Sequence, residues 1–153
     1  MSVMVIAPDQ AALALPALRV IRPQARPTAS ARALATFLTV AGRSGYRLIG
    51  SFDRYQGTSA EALAVLGYRI VPTLAVGRVL EVTELAVLPE ARGEGHRAAL
   101  LRWAQTEAAR QGCEVIQLEL GLLSDSLDDT DLYRSLGWEL SGKYYAKELR
   151  PAC

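Results

Sequence analysis

The chain has 153 residues, of which 50% are hydrophobic and 22% charged, and a formal net charge of +1. Such a balance suits one self-folding domain and excludes a disordered chain or a strongly basic nucleic-acid binder. Two cysteines, Cys113 and Cys153, have neither metal-ligand spacing nor the density of a secreted scaffold, so a reduced cytoplasmic setting without a metal is expected.

Residues 1–7 are apolar but short and carry no basic leader, and they read as a first strand rather than a targeting segment. No run approaches the roughly eighteen apolar residues of a membrane-spanning helix, so no membrane partner is expected. Asp9 offers a cap for a helix bearing Leu13, Ala17 and Val20, with Pro16 expected to kink or divide it. After a proline-containing break at residues 22–27, Thr28 or Ser30 can cap a second helix. That helix carries Leu34, Phe37, Leu38 and Ala41 on one face and ends over residues 42–45. The period then changes to that of strands. An antiparallel pair is expected at 46–52 and 63–70 around a polar turn at 53–59. A connection at 71–78 leads to a long central strand at 79–87, and Pro89, which cannot donate to a ladder, ends it.

The strongest helical pattern covers residues 95–111, with an apolar stripe of Ala99, Leu100, Trp103, Ala104 and Ala108 and a stop at Gly112. A strand at 115–120 alternates Ile116, Leu118 and Leu120 with Gln117 and Glu119. Acidic residues at 125–131 cap a short helix closing on Leu136 and Gly137, and strands at 138–140 and 144–149 finish the chain. No repeat or linker composition interrupts it, so a single domain over 1–153 is expected. The order of elements fits an α/β sheet covered by helices on both faces.

Chemistry concentrates between the central strand and the long helix. Gly93 and Gly95 let the backbone curl so that successive N–H groups converge, and the first N–H groups of the helix lie unpaired at the positive end of its dipole. An anion fits there, and Arg92 and Arg97 add positive charge. The Gly-x-x-x-x-Gly-Lys-Ser/Thr loop and the three-glycine dinucleotide fingerprint are both absent. Taken alone, the two glycines more often mark a tight strand-to-helix turn than a ligand site.

The surrounding residues carry more. The segment Glu84-Leu85-Ala86-Val87-Leu88-Pro89-Glu90-Ala91-Arg92-Gly93-Glu94-Gly95-His96-Arg97-Ala98 resembles the signature of the GNAT superfamily of N-acetyltransferases. In that signature a strand runs into Val-x-Pro-Glu, then Arg/Gln-x-x-Gly-x-Gly/Ala, then a helix. Further on, Leu132-Tyr133-Arg134-Ser135-Leu136-Gly137-Trp138 is similar to the second hallmark, an aromatic-containing helix closing on Gly-Phe/Trp. The resemblance implies the acyl-CoA N-acyltransferase fold, a mixed sheet with a splayed central strand pair, and acetyl transfer from acetyl-CoA to a primary amine. By the same resemblance, Leu85, Ala86 and Val87 pair with the pantetheine amides. Arg92, Gly93, Glu94, Gly95, His96, Arg97 and Ala98 hold the pyrophosphate, and Ser126 joins the cofactor set. Three positions depart from the pattern: Arg97 replaces a small residue, and Ser126 and Asp129 replace the usual Asn and Ala.

Transfer requires that the acceptor amine lose a proton and the departing sulfur gain one. Tyr133 matches the family's helix tyrosine, the expected general acid; packing a short helix on the sheet is its alternative use. The base is expected to be Glu84 or Glu81, which simple strand alternation puts on opposite faces, with Glu119 a third candidate. His96, the only histidine, is expected to pack at the helix start. An amine-bearing acceptor is the expected partner, with no nucleic acid, and a homodimer is left open. A GNAT-fold sensor that binds acyl-CoA without turnover is the competing reading, and a site for another phosphorylated ligand is a third.

Overall fold

The computed structural model describes residues 1–53, 61–118, 133, 134, 137, 138, 147 and 149. The chain forms two compact units, Met1–Leu122 and Leu123–Cys153.

The first unit is built on a five-stranded sheet in sequential order: β1 (Ser2–Val5), β2 (Arg47–Phe52), β3 (Ala64–Thr73), β4 (Gly77–Val87) and β5 (Val115–Leu118). The first four strands pair antiparallel, and β5 lies parallel to β4. A parallel neighbour needs a long crossover, and α3 (His96–Arg110) supplies it. Two further helices, α1 (Ala11–Ile21) and α2 (Ala31–Gly42), fill the chain between β1 and β2.

Register assigns the faces, because directly paired residues project to the same side. Ser51, Tyr68 and their in-phase neighbours face α3, where Tyr68 packs on Trp103 with ring centroids 5.9 Å apart and Ser51 meets His96. Gly67 and Glu84 face the other way, toward Arg22 at the end of α1. Helices thus cover both faces, as the order of elements implied. The core between them contains Leu48, Ile49, Val65, Leu66, Leu80, Val82, Leu85, Leu100 and Leu101, all fully buried.

Local rules explain most boundaries. Ser30 caps α2, its hydroxyl accepting the Ala33 N–H at 3.0 Å. At the other end the Tyr46 N–H bonds the Ala41 carbonyl and the Gly45 N–H bonds the Gly42 carbonyl, both at 3.1 Å. This is a Schellman closure. Equivalent bonds from Cys113 to Ala108 and from Gly112 to Ala109 close α3.

Four expectations are corrected. Asp9 caps nothing: Pro8, with its preset φ, opens a 3-10 turn over Pro8–Gln10, so Asp9 lies inside that turn, and the Gln10 side chain accepts the Ala7 N–H at 2.9 Å. Pro16 does not divide α1, which runs through it while burying Ala11, Ala14, Leu15, Ala17 and Leu18; Val20 is exposed. The connection at 71–78 is instead a hairpin, since β3 and β4 both extend to a short turn at residues 74–76. Pro72 lies near the tip of this hairpin, beyond the pairing with β2, which begins opposite Tyr68. Finally, a bulge in β4 changes the faces of its carboxylates, as described below. No helix among the described residues is long and apolar enough to cross a membrane.

Candidate active site

In β4 the pairing with β3 runs Tyr68↔Val82, then Gly67↔Glu84, leaving Thr83 as the extra residue of a β-bulge. The extra residue inverts the alternation beyond it. Glu81 pairs with Arg69 and Glu84 with Gly67, and since Arg69 and Gly67 are two apart on β3, both carboxylates share one face. The expected opposition of Glu81 and Glu84 is therefore overturned.

Three elements converge on Glu84. Its Oε1 accepts the Tyr46 hydroxyl at 2.6 Å and the Thr83 hydroxyl at 3.1 Å. Its Oε2 lies 3.9 Å from Arg22 Nη2, and the same guanidinium nitrogen donates to the Thr83 carbonyl at 3.3 Å. The Glu84 side chain is 15% exposed, partly withdrawn from water but reachable. Burial, reinforced by the neighbouring Glu84 charge and hydrogen bond, pushes the Tyr46 hydroxyl far above its ordinary pKa of 10.0, so it stays a donor at any physiological pH. Glu81 is 28% exposed and meets Arg69 at 3.9 Å.

Gly67 makes this arrangement fit. A Cβ there would overlap the Tyr46 hydroxyl, come within 2.8 Å of the ring carbon Cζ and approach Glu84 Oε1 at 3.2 Å. Tyr46 is held from behind as well: its N–H belongs to the closure of α2, and its ring meets Phe37 edge-on with centroids 5.2 Å apart.

Beyond Glu84, the buried Leu85, Ala86 and Val87 lead to a 3-10 turn at Pro89–Ala91 and then the glycine loop. Gly93 and Gly95 have φ of +82° and +91°, backbone that residues with a Cβ rarely adopt. Gly95 is the N-cap of α3, and no side chain caps that helix. Arg92, Gly93, Glu94 and Gly95 are exposed, and Arg97 and Ala98 are half-buried. The space over Gly93 is open, with nothing within 4 Å of a Cβ placed there. An uncapped helix start, open backbone and the adjacent Arg92 leave room for an anion of pyrophosphate size.

His96 packs, as its position suggests. It is 4% exposed, its Nδ1 is 2.8 Å from the Ser51 hydroxyl, and its Nε2 is 3.4 Å from Glu94 Oε2. Its imidazole thus ties the first residue of α3 to β2, leaving its backbone N–H for the loop. A groove of about 380 Å³ lined by Tyr68, Trp103, Glu107 and Arg110 lies on this α3 side, the opposite face from Glu84.

In the second unit the motif ending in Gly137-Trp138 is a helix stop. The Trp138 N–H bonds the Tyr133 carbonyl at 2.9 Å and the Gly137 N–H bonds the Arg134 carbonyl at 3.0 Å, with Gly137 at φ +88°. The Tyr133 and Trp138 rings meet edge-on at 5.9 Å, the apolar contact that accompanies a Schellman closure. The motif spacing therefore has a local physical reason. Ser126, Glu119, Asp129 and the acidic stretch at 125–131 lie outside the described residues, as does the segment on which the expected splay beside residues 85–87 would be read.

Sequence reasoning did not single out Tyr46, Arg22, Gly67 or Ser51. A glycine inside the apolar run 63–70 was the available signal, since such a glycine marks a close approach.

Residues 55–140 match the GNAT acetyltransferase domain family, and the chain belongs to that family. Its chemistry is acetyl transfer. A search of curated protein sequences finds no match. Among solved structures, an acetyltransferase from Trypanosoma brucei aligns at a TM-score of 0.78 and 18% identity over 97% of this chain and 99% of that one. A ribosomal-protein-alanine N-acetyltransferase from Brucella melitensis aligns at 0.74 and 16% over 97% and 100%. A glucosamine-6-phosphate N-acetyltransferase from Arabidopsis thaliana aligns at 0.70 and 11% over 98% and 100%. One fold thus carries a ribosomal-protein-alanine and a glucosamine-6-phosphate N-acetyltransferase, and it does not specify the acceptor.

Proposed function

We propose that the chain transfers an acetyl group from acetyl-CoA to a primary amine, with Glu84 as general base. The observation that carries this reading is a hydrogen-bonded, partly exposed carboxylate on the β4 bulge, followed within the same strand, loop and helix by an anion-ready backbone. Acetyl-CoA supplies an activated thioester carbon. The N–H groups of the loop and of the start of α3, with Arg92 and Arg97, hold its pyrophosphate, and backbone at Leu85, Ala86 and Val87 holds its pantetheine arm.

Glu84 takes the proton that the acceptor amine gives up as its nitrogen bonds to the acetyl carbon. The carbon–sulfur bond breaks, and Tyr133 is assigned the proton returned to sulfur. Glu81 is the weaker candidate for the base, because its nearest partner is Arg69 and no hydroxyl orients it. Ser126 is assigned to the cofactor-binding set, and the whole chain to one functional domain. The acceptor amine is the partner this chemistry requires.

The test is calorimetric titration with acetyl-CoA, followed by thiol release with spermidine, lysine and a peptide bearing a free N-terminal alanine. Saturable binding and amine-dependent release are expected. Failure to bind acetyl-CoA sinks the proposal, whereas binding without release from any amine favours the sensor reading.

A further inference from the structure

We infer that Tyr46 is a positioning residue for this reaction: it fixes Glu84 Oε1 so that Oε2 is the atom that receives the acceptor's proton. The inference rests on the transferase reading above and adds to it a residue distant in sequence.

A carboxylate has two oxygens, and a base is most useful when one of them points consistently at the proton. Here the two are treated unequally. Oε1 accepts two hydroxyl hydrogen bonds, at 2.6 Å from Tyr46 and 3.1 Å from Thr83. Oε2 has the looser contact, at 3.9 Å from an Arg22 side chain that is 43% exposed and already donates to the Thr83 carbonyl. An incoming amine meets less competition at Oε2. The proton moves from nitrogen to Oε2, and Oε1 keeps its donors throughout, so the carboxylate does not rotate as it becomes an acid.

The Tyr46 side is rigid for three reasons on two elements, α2 and β3. The backbone N–H is bonded to Ala41 in the closure of α2, the ring meets Phe37, and the hydroxyl lies in the space that Gly67 leaves on β3. A tyrosine that merely filled core volume would not need a glycine opposite its hydroxyl. The Thr83 bond exists because the bulge brings Thr83 and Glu84 together on one edge of β4.

The experiment compares wild type, Tyr46→Phe, Glu84→Gln and the double variant in thiol release with the amine that wild type uses best, together with acetyl-CoA titration of each. Tyr46→Phe is expected to lower kcat roughly ten- to a hundredfold, the effect of one hydrogen bond to a charged group. Its acetyl-CoA affinity should match wild type. The double variant should be no slower than Glu84→Gln alone, because the hydroxyl acts only through the carboxylate. A purely structural role predicts multiplicative losses in the double variant, and that result, or wild-type kcat in Tyr46→Phe, overturns the assignment while leaving the transferase standing. If Tyr46→Phe loses its folded signal, Gly67→Ala supplies the second test: the tyrosine ring is retained, the hydroxyl is displaced, and kcat should fall without loss of acetyl-CoA binding. Unchanged kcat there also overturns the assignment. A wild type that binds acetyl-CoA but acetylates no amine overturns the transferase reading and this assignment with it.

Discussion

The loop at residues 92–97 and the cluster around Glu84 adjoin in the chain but are built by opposite means. In the loop the backbone carries the site: two glycines at positive φ, an uncapped helix start, and side chains that flank it. Around Glu84 the side chains carry it, drawn from the end of α1, the end of α2, β3 and β4. A backbone site needs only local conformation and tolerates varied side chains. A side-chain site needs four segments in register and is sensitive to each of them. On the proposed reading the first region anchors the donor and the second moves the proton.

Substitutions that touch one region and spare the other sharpen this contrast. Glu84→Gln should lower kcat about a hundredfold or more while acetyl-CoA affinity measured by calorimetry stays near wild type. A parallel loss of affinity would break the division of labour. Gly67→Ala should destabilise the fold by about 1–3 kcal/mol in urea denaturation, because the new methyl group forces the Tyr46 hydroxyl out of its place beside Glu84. Gly95→Ala should cost about 1–2 kcal/mol of stability, since an alanine resists φ of +91°, and should weaken acetyl-CoA binding without changing kcat at saturation. The same kcat loss as Glu84→Gln would show that the regions are not separable.

The gentlest test is pH. Tyr46 has a folded pKa raised above the 10.0 of an ordinary tyrosine, chiefly by burial, and Tyr68 is raised for the same leading reason. For a raised group the stabilisation is complete below the unfolded pKa and is lost as pH climbs from there toward the folded value. Unfolding free energy should therefore fall above about pH 10, with Tyr46 contributing up to about 1.4 kcal/mol per pH unit. Tyr46→Phe should remove that share and leave the share of Tyr68. An unchanged alkaline slope would show that the Tyr46 hydroxyl is not buried beside Glu84 as described.

Much of the fold was legible from local pattern. Ser30 as a cap, the glycines that close α2 and α3, the long strand β4 and the helix after Gly95 all follow from rules acting within a few residues. The errors arose where a local rule met a competing one. Pro8 started a turn ahead of the cap expected at Asp9. The packed face of α1 outweighed Pro16.

Near neighbours suffice to specify the strand, the glycine loop and the helix over residues 77–110, and the helix stop at Gly137, because each depends on φ preferences and short-range hydrogen bonds. Strand pairing and packing are what set Glu81 and Glu84 on one face, bring the Tyr46 hydroxyl to Glu84 and tie His96 to Ser51. Those contacts join residues that are adjacent only once the strands pair. A single bulge at Thr83, visible only in the register with β3, reverses the side on which Glu84 lies relative to strict alternation.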